Sequence, residues 1–172
     1  MGMNQLSNIL IRPEGPSDHD AIYHVTKRAF APMRFSAGDE QDLVNTLRDM
    51  DALSLSMVAE QQSKVVGHVA LSPVTHESGE GGWFGLGPIS VEPALQRQGI
   101  GGMLIAEAKE WMKARRARGC ILVGDTGYYS RHGFILSGGN APDKEPAEYF
   151  MVLPLNNSIP AGRFSFHPAF YT

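Results

Sequence analysis

At 172 residues, with 42% of them hydrophobic and 19% charged, the chain is long enough to bury one proper core and too short for two ordinary domains. A formal net charge of −3 gives no reason to invoke nucleic acid, and a single cysteine, Cys120, rules out an internal disulfide. No apolar run is long enough to span a bilayer and residues 1–12 lack the charged-then-apolar layout of a signal peptide, so a cytoplasmic protein off the membrane is expected. Histidines 19, 24, 68, 76, 132 and 167 make no ligand-spaced cluster with Cys120, so no metal is expected.

In chain order, residues 8–13 read as a first strand. Ser17 is placed to cap a helix running to Phe30, with Ile22, Val25, Ala29 and Phe30 inward. Residues 31–38 read as a loop and residues 39–48 as a second helix. Residues 53–60 and 64–74 form a hairpin through Gln61-Gln62-Ser63, with β-branched residues on both arms. A polar, glycine-rich turn over 75–82 leads into a strand from Trp83 to Val91. From Gly102 to Arg118, Leu104, Ile105, Ala108, Trp111 and Met112 recur at helical spacing and mark one buried face. Lys113, Arg115, Arg116 and Arg118 suit the dipole at the end of that helix, and Gly119 stands where a C-cap glycine belongs. Residues 120–123 read as a short buried strand, which makes Cys120 a buried thiol and not a nucleophile. A helix of hardly more than one turn precedes Gly133, followed by strands at 134–136 and 148–153. Residues 156–172 add an aromatic-rich, packed extension carrying Phe164, Phe166, Phe170 and Tyr171.

The chemistry concentrates after the Trp83–Val91 strand, in Gln96-Arg97-Gln98-Gly99-Ile100-Gly101-Gly102. The first N–H groups of a helix have no partner within it and its N-terminus is partly positive, so a glycine-rich turn there can hold a phosphate or pyrophosphate. A Walker A loop needs Lys and then Ser or Thr after its last glycine, where this chain has Met103 and Leu104. A dinucleotide fingerprint needs a third glycine at position 104, which is Leu. What remains is Gln96-x-x-Gly99-x-Gly101, with Arg97 between.

That pattern, between a Gly-Pro-Ile-Ser-Val strand and an amphipathic helix, resembles the turn with which the GNAT superfamily of N-acetyltransferases holds the pyrophosphate of coenzyme A. Tyr129, Gly133 and Phe134 stand at the spacing of a second motif of that superfamily, Tyr-x-x-x-Gly-Phe. The element order is similar to the GNAT order over residues 8–154. The resemblance implies an α/β, three-layer fold with a mixed twisted sheet flanked by helices, as in bacterial-type single-domain members, spanning residues 1–172 with 155–172 as an extension. It implies acetyl-CoA as co-substrate. Gln96 to Gly102 would hold the pyrophosphate, and the backbone of Ile89, Ser90 and Val91 the pantetheine arm, in a gap between this strand and the parallel strand at 120–123. Tyr129 would protonate the departing thiolate, a task suited to a phenol, while Tyr128 reads as packing. The Asn that many members carry before the tyrosine is missing, and Asp125 or Thr126 stands in its region.

Direct transfer to a primary amine of a small molecule or peptide is the activity implied. A lysine or N-terminal amine of a protein, and a non-catalytic acyl-CoA sensor, are the alternatives. The proton acceptor is left open among Glu40, His68, Asp125 and a chain of waters. The acceptor amine would be shaped by residues 31–40, where Arg34 and Phe35 are candidates to grip it, and by 138–145. Members of the superfamily often pair through late strands, so a homodimer stays open.

Overall fold

The computed structural model describes residues 8–34 and 36–172. The elements are β1 (Ile9–Pro13), α1 (His19–Phe30), α2 (Glu40–Asp49), β2 (Leu55–Gln61), β3 (Lys64–Pro73), β4 (Thr75–His76), β5 (Trp83–Val91), α3 (Ile100–Ala114), β6 (Gly119–Val123), α4 (Thr126–Ser130), β7 (Ile135–Leu136), β8 (Phe150–Pro154) and β9 (Phe164–Ser165). Seven strands form one mixed sheet in the order β1-β2-β3-β5-β6-β8-β7, flanked by helices, and β4 pairs with β9 in a small ribbon. The chain clusters into two compact units. One is the described part of Met1–Ala70 with Pro88–Ala108, the other Leu71–Gly87 with Lys109–Thr172.

In the first unit, β1 runs antiparallel to β2 from Ile9↔Gln61 to Pro13↔Met57. The β2–β3 hairpin turns on Gln62 (φ +50°) and Ser63 (φ +65°), the pair of positive φ values that matches the twist of the flanking strands. Ile22 of α1, Val44 of α2 and Val58 of β2 make a buried cluster with Leu53 and Val65 against it. Two details differ from the sequence reading. Ser17 lies within a single tight turn, Pro16–Asp18, and does not cap α1; the Asp18 carboxylate instead accepts the Gly15 N–H at 2.6 Å and is paired with Arg12. Phe30 is only half-buried, and the inward position is taken by Thr26, whose hydroxyl meets Ser90 Oγ at 3.3 Å.

In the second unit, β6 lies parallel to β5 from Trp83↔Gly119 to Gly85↔Ile121 and antiparallel to β8 from Gly119↔Pro154 to Val123↔Phe150. Pairing with β5 therefore stops at Gly85, although β6 runs on to Val123. Gly87 follows at φ +147°, a backbone geometry that favours glycine. The core is aromatic: Trp83, Phe150, Phe164 and Phe166 are buried with Val74, Ile121 and Val152. Phe164 and Phe166 come from the segment read as an extension. It is held by Asn140, whose side-chain amide donates to the carbonyls of Pro160 (2.8 Å) and Gly162 (2.6 Å). The α3 end also differs. Arg116, at φ +56°, is the left-handed residue after the helix, and Gly119 opens β6 instead of capping α3. Gly119 is required there by contact, because a Cβ on it would fall 2.0 Å from the Leu153 carbonyl oxygen.

Candidate active site

The turn before α3 is shaped by left-handed residues. Arg97 takes φ +65° and Gly99 +95°, and Gln96 reaches back so that its amide donates to the Val91 carbonyl at 3.1 Å. Ile100 is buried and anchors the turn from below, while Gln96, Arg97 and Gly99 are exposed and Gly101 and Gly102 half-buried. The hydrogen bonding is the telling part. Met103 N–H closes the first helical bond to Gly99 O at 3.1 Å, yet no N–H from Arg97 through Gly102 meets an acceptor among the described residues. Six consecutive donors without an acceptor at the start of a helix are groups of the kind that can meet an anion. On β5, Ile89 and Val91 are half-buried and Ser90 is buried, its hydroxyl turned to Thr26.

Tyr129 sits on α4, which Asp125 caps by accepting the Tyr128 N–H at 3.0 Å. Its ring lies close over the Gly124 backbone, where a Cβ would be 2.7 Å from Tyr129 Cε2, and edge-on to Phe134 at 5.7 Å. Burial pushes the phenol above the usual range, with Tyr128 and Asp125 adding to the effect, so it holds its proton at neutral pH. Tyr128 stands against Tyr129 at 4.9 Å and His132 at 4.9 Å. Cys120 is buried and its thiol is pushed up by burial, so it stays an inert thiol.

The Acetyltransferase (GNAT) family model matches residues 19–134, which carry both the turn before α3 and the Tyr129 motif. The chain belongs to the GNAT acetyltransferase family. It is 32% identical over 130 residues, 75% of each protein, to the N-acetyltransferase YhbS of Escherichia coli K12. Among solved structures, a GNAT family acetyltransferase of Brucella melitensis in complex with acetyl-CoA is 43% identical, with TM-score 0.83, covering 94% of this chain and 97% of that one. Escherichia coli YhbS in complex with CoA gives TM-score 0.85 at 29% identity, covering 96% and 93%. The enzyme class is thus acyltransferase. Among the described residues no helix is long and apolar enough to cross a membrane, and no group of three or more His, Cys, Asp or Glu is placed to hold a metal ion.

The proton-acceptor candidates of this GNAT chain sit in unlike settings. Glu40 opens α2 and accepts from Ser36 Oγ at 2.6 Å. Asp125 is engaged as the α4 cap, with Thr126 the first residue of that helix. Arg34 is exposed, and Phe35 lies outside the described residues. His68, on β3, is fully buried at the inner end of a polar chain that the sequence does not betray. Glu14 is paired with Arg48 at 2.8 Å and accepts from Ser56 Oγ. Ser56 Oγ therefore accepts from His68 Nε2 at 2.8 Å, which leaves Nδ1 as a buried lone pair with no partner among the described residues. Burial pushes this imidazole down to about 4, Glu14 opposing and Arg48 reinforcing.

This has a consequence for stability. The unfolded chain takes up a proton on His68 near pH 6.5 and the folded chain only near 4, so in that window the unfolded state binds more protons and stability falls as pH drops. Between pH 6.5 and 5 the loss from His68 is expected to be on the order of 2 kcal/mol. Urea unfolding across that range measures it, with His68→Gln flattening most of the slope. An unchanged slope in the variant would show that His68 is not held neutral.

Proposed function

We propose that this chain transfers the acetyl group of acetyl-CoA directly to a primary amine of a small molecule or peptide, working as one catalytic domain. The observation that carries the reading is the run of N–H groups from Arg97 through Gly102 with no acceptor among the described residues, which fits two linked phosphates better than any neutral group. Arg97, exposed and without a carboxylate partner among the described residues, would add a positive charge beside the same N–H groups.

Acetyl-CoA supplies a thioester: the amine forms a bond to its carbonyl carbon, the carbon–sulfur bond breaks, and the sulfur leaves with the electron pair. The backbone of Ile89, Ser90 and Val91 would hold the pantetheine arm by strand-type hydrogen bonds. One N–H of this segment would face the thioester oxygen, a fixed donor of the kind worth about 2.7–4 kcal/mol elsewhere. Tyr129 would give its proton to the sulfur. A phenol is protonated at neutral pH, the right form for that step; burial makes it a weaker acid, and the same burial would make a thiolate beside it more basic. The proton of the incoming ammonium goes to water or to one of Glu40, His68 and Asp125; Asp125 and His68 are already committed, to the α4 cap and to Ser56.

The test is acetyl-CoA binding by calorimetry, followed by a panel of amines scored for thiol release. Binding in the micromolar range with turnover on a soluble amine is the expected result; no binding, or binding with no turnover on any amine, would overturn the reading. Tyr129→Phe should lower kcat by about 10²-fold with little change in acetyl-CoA affinity. Undiminished kcat would remove the proton-donor role.

A further inference from the structure

α4 has five residues, too few to be stable alone, and its last carbonyls need partners from outside. Two N–H groups return to the Tyr129 carbonyl, from His132 at 2.9 Å and Phe134 at 3.2 Å. The second depends on the left-handed turn at Gly133 (φ +92°), which sends Phe134 back toward the tyrosine. Among the described residues, the His132 carbonyl at this turn is bonded by one group, the ammonium of Lys109. Lys109 is half-buried, has no carboxylate partner among the described residues, and lies 3.7 Å from where a Gly133 Cβ would stand. A lysine with no ion pair, spent on a single carbonyl at a helix C-terminus, is doing electrostatic and hydrogen-bonding work there.

We infer that Lys109 is a positioning residue for Tyr129. It clamps the Ser130–Phe134 turn to α3, and the turn fixes the tyrosine backbone from below while Gly124 leaves room for the ring above. A hydrophobic residue at 109 frees the His132 carbonyl, loosens the two bonds to the Tyr129 carbonyl and lets the phenol wander from the sulfur. The inference rests on the reading of Tyr129 as proton donor. It extends that reading to a residue in neither motif.

A double-mutant cycle tests it. Lys109→Met should lower kcat about tenfold with the acetyl-CoA KM nearly unchanged, the size expected for losing one charged hydrogen bond. Lys109→Arg, which keeps a charged donor, should restore most of the rate, and Lys109→Gln supplies a second neutral variant should the methionine one fail to fold. In a Tyr129→Phe background, Lys109→Met should cost nothing further in kcat. Loss of the same factor in both backgrounds, or no loss in the single variant, overturns the inference while leaving Tyr129 as donor. Full activity of Tyr129→Phe alone overturns the donor reading and the inference with it.

Discussion

Gly101→Glu should weaken acetyl-CoA binding by on the order of 100-fold while shifting the melting temperature by no more than about 2 °C. The new carboxylate would project from the second residue of α3, beside the N–H groups of Arg97 to Gly102. Against a pyrophosphate, a like charge within about 4 Å costs a few kcal/mol near a protein surface. Helix propensity and the helix dipole raise no such objection. Glutamate is a better helix former than glycine, and a negative charge in a first turn suits the dipole. Binding and stability should therefore separate cleanly, and calorimetry beside a thermal melt reads both. Unchanged affinity in a well-folded variant would remove the proposed pyrophosphate site.

Gly119→Ala should be the most destabilising single methyl in the second unit. Its Cβ would stand 2.0 Å from Leu153 O and 2.7 Å from Trp83 Cζ3, at φ +152°, a conformation L side chains avoid. Neither neighbour can yield easily. Leu153 O belongs to β8, and Trp83 is the buried aromatic on which Phe164 packs at 5.0 Å. Backbone strain and overpacking each run at about 1–3 kcal/mol, so a combined loss on the order of 4 kcal/mol is expected, a fall of about 10 °C in melting temperature. Gly139→Ala is the control, with nothing within 4 Å of its added methyl and no unusual φ. A Gly119→Ala melt indistinguishable from the control would refute the close packing of β6 on β8.

The elements that periodicity describes well were legible from the residues: the amphipathic α3, the β2–β3 hairpin with its Gln62-Ser63 turn, and the strand-turn-helix order around Gln96. The turn before α3 was legible because its closely spaced glycines mark a bend at a helix start. Gly119 was misread because a glycine after a basic helix end suits a cap as well as a strand start, and only the position of Leu153, far along the chain, decides between them. Thr26 was passed over because a β-branched polar residue on a helix gives no hint of a partner on a strand sixty-four residues away. The Glu14–Ser56–His68 chain draws on the residue after β1, the start of β2 and the middle of β3, and single-residue patterns carry no trace of it. The aromatic tail was recognised as packed, but its share in the core emerges only once β9 pairs with β4.

The segmentation of the two units bears on how such a chain can be altered. Neither unit is a contiguous stretch: the backbone leaves the first at Ala70, returns at Pro88 and leaves again at Ala108. A single crossover between related genes at any of these junctions would join part of one parent's unit to the complementary part from the other parent. Recombination that keeps each unit whole needs three crossovers together. A chimera of two related chains with one junction at Ala70, Gly87 or Ala108 therefore mixes its parents within at least one of the units.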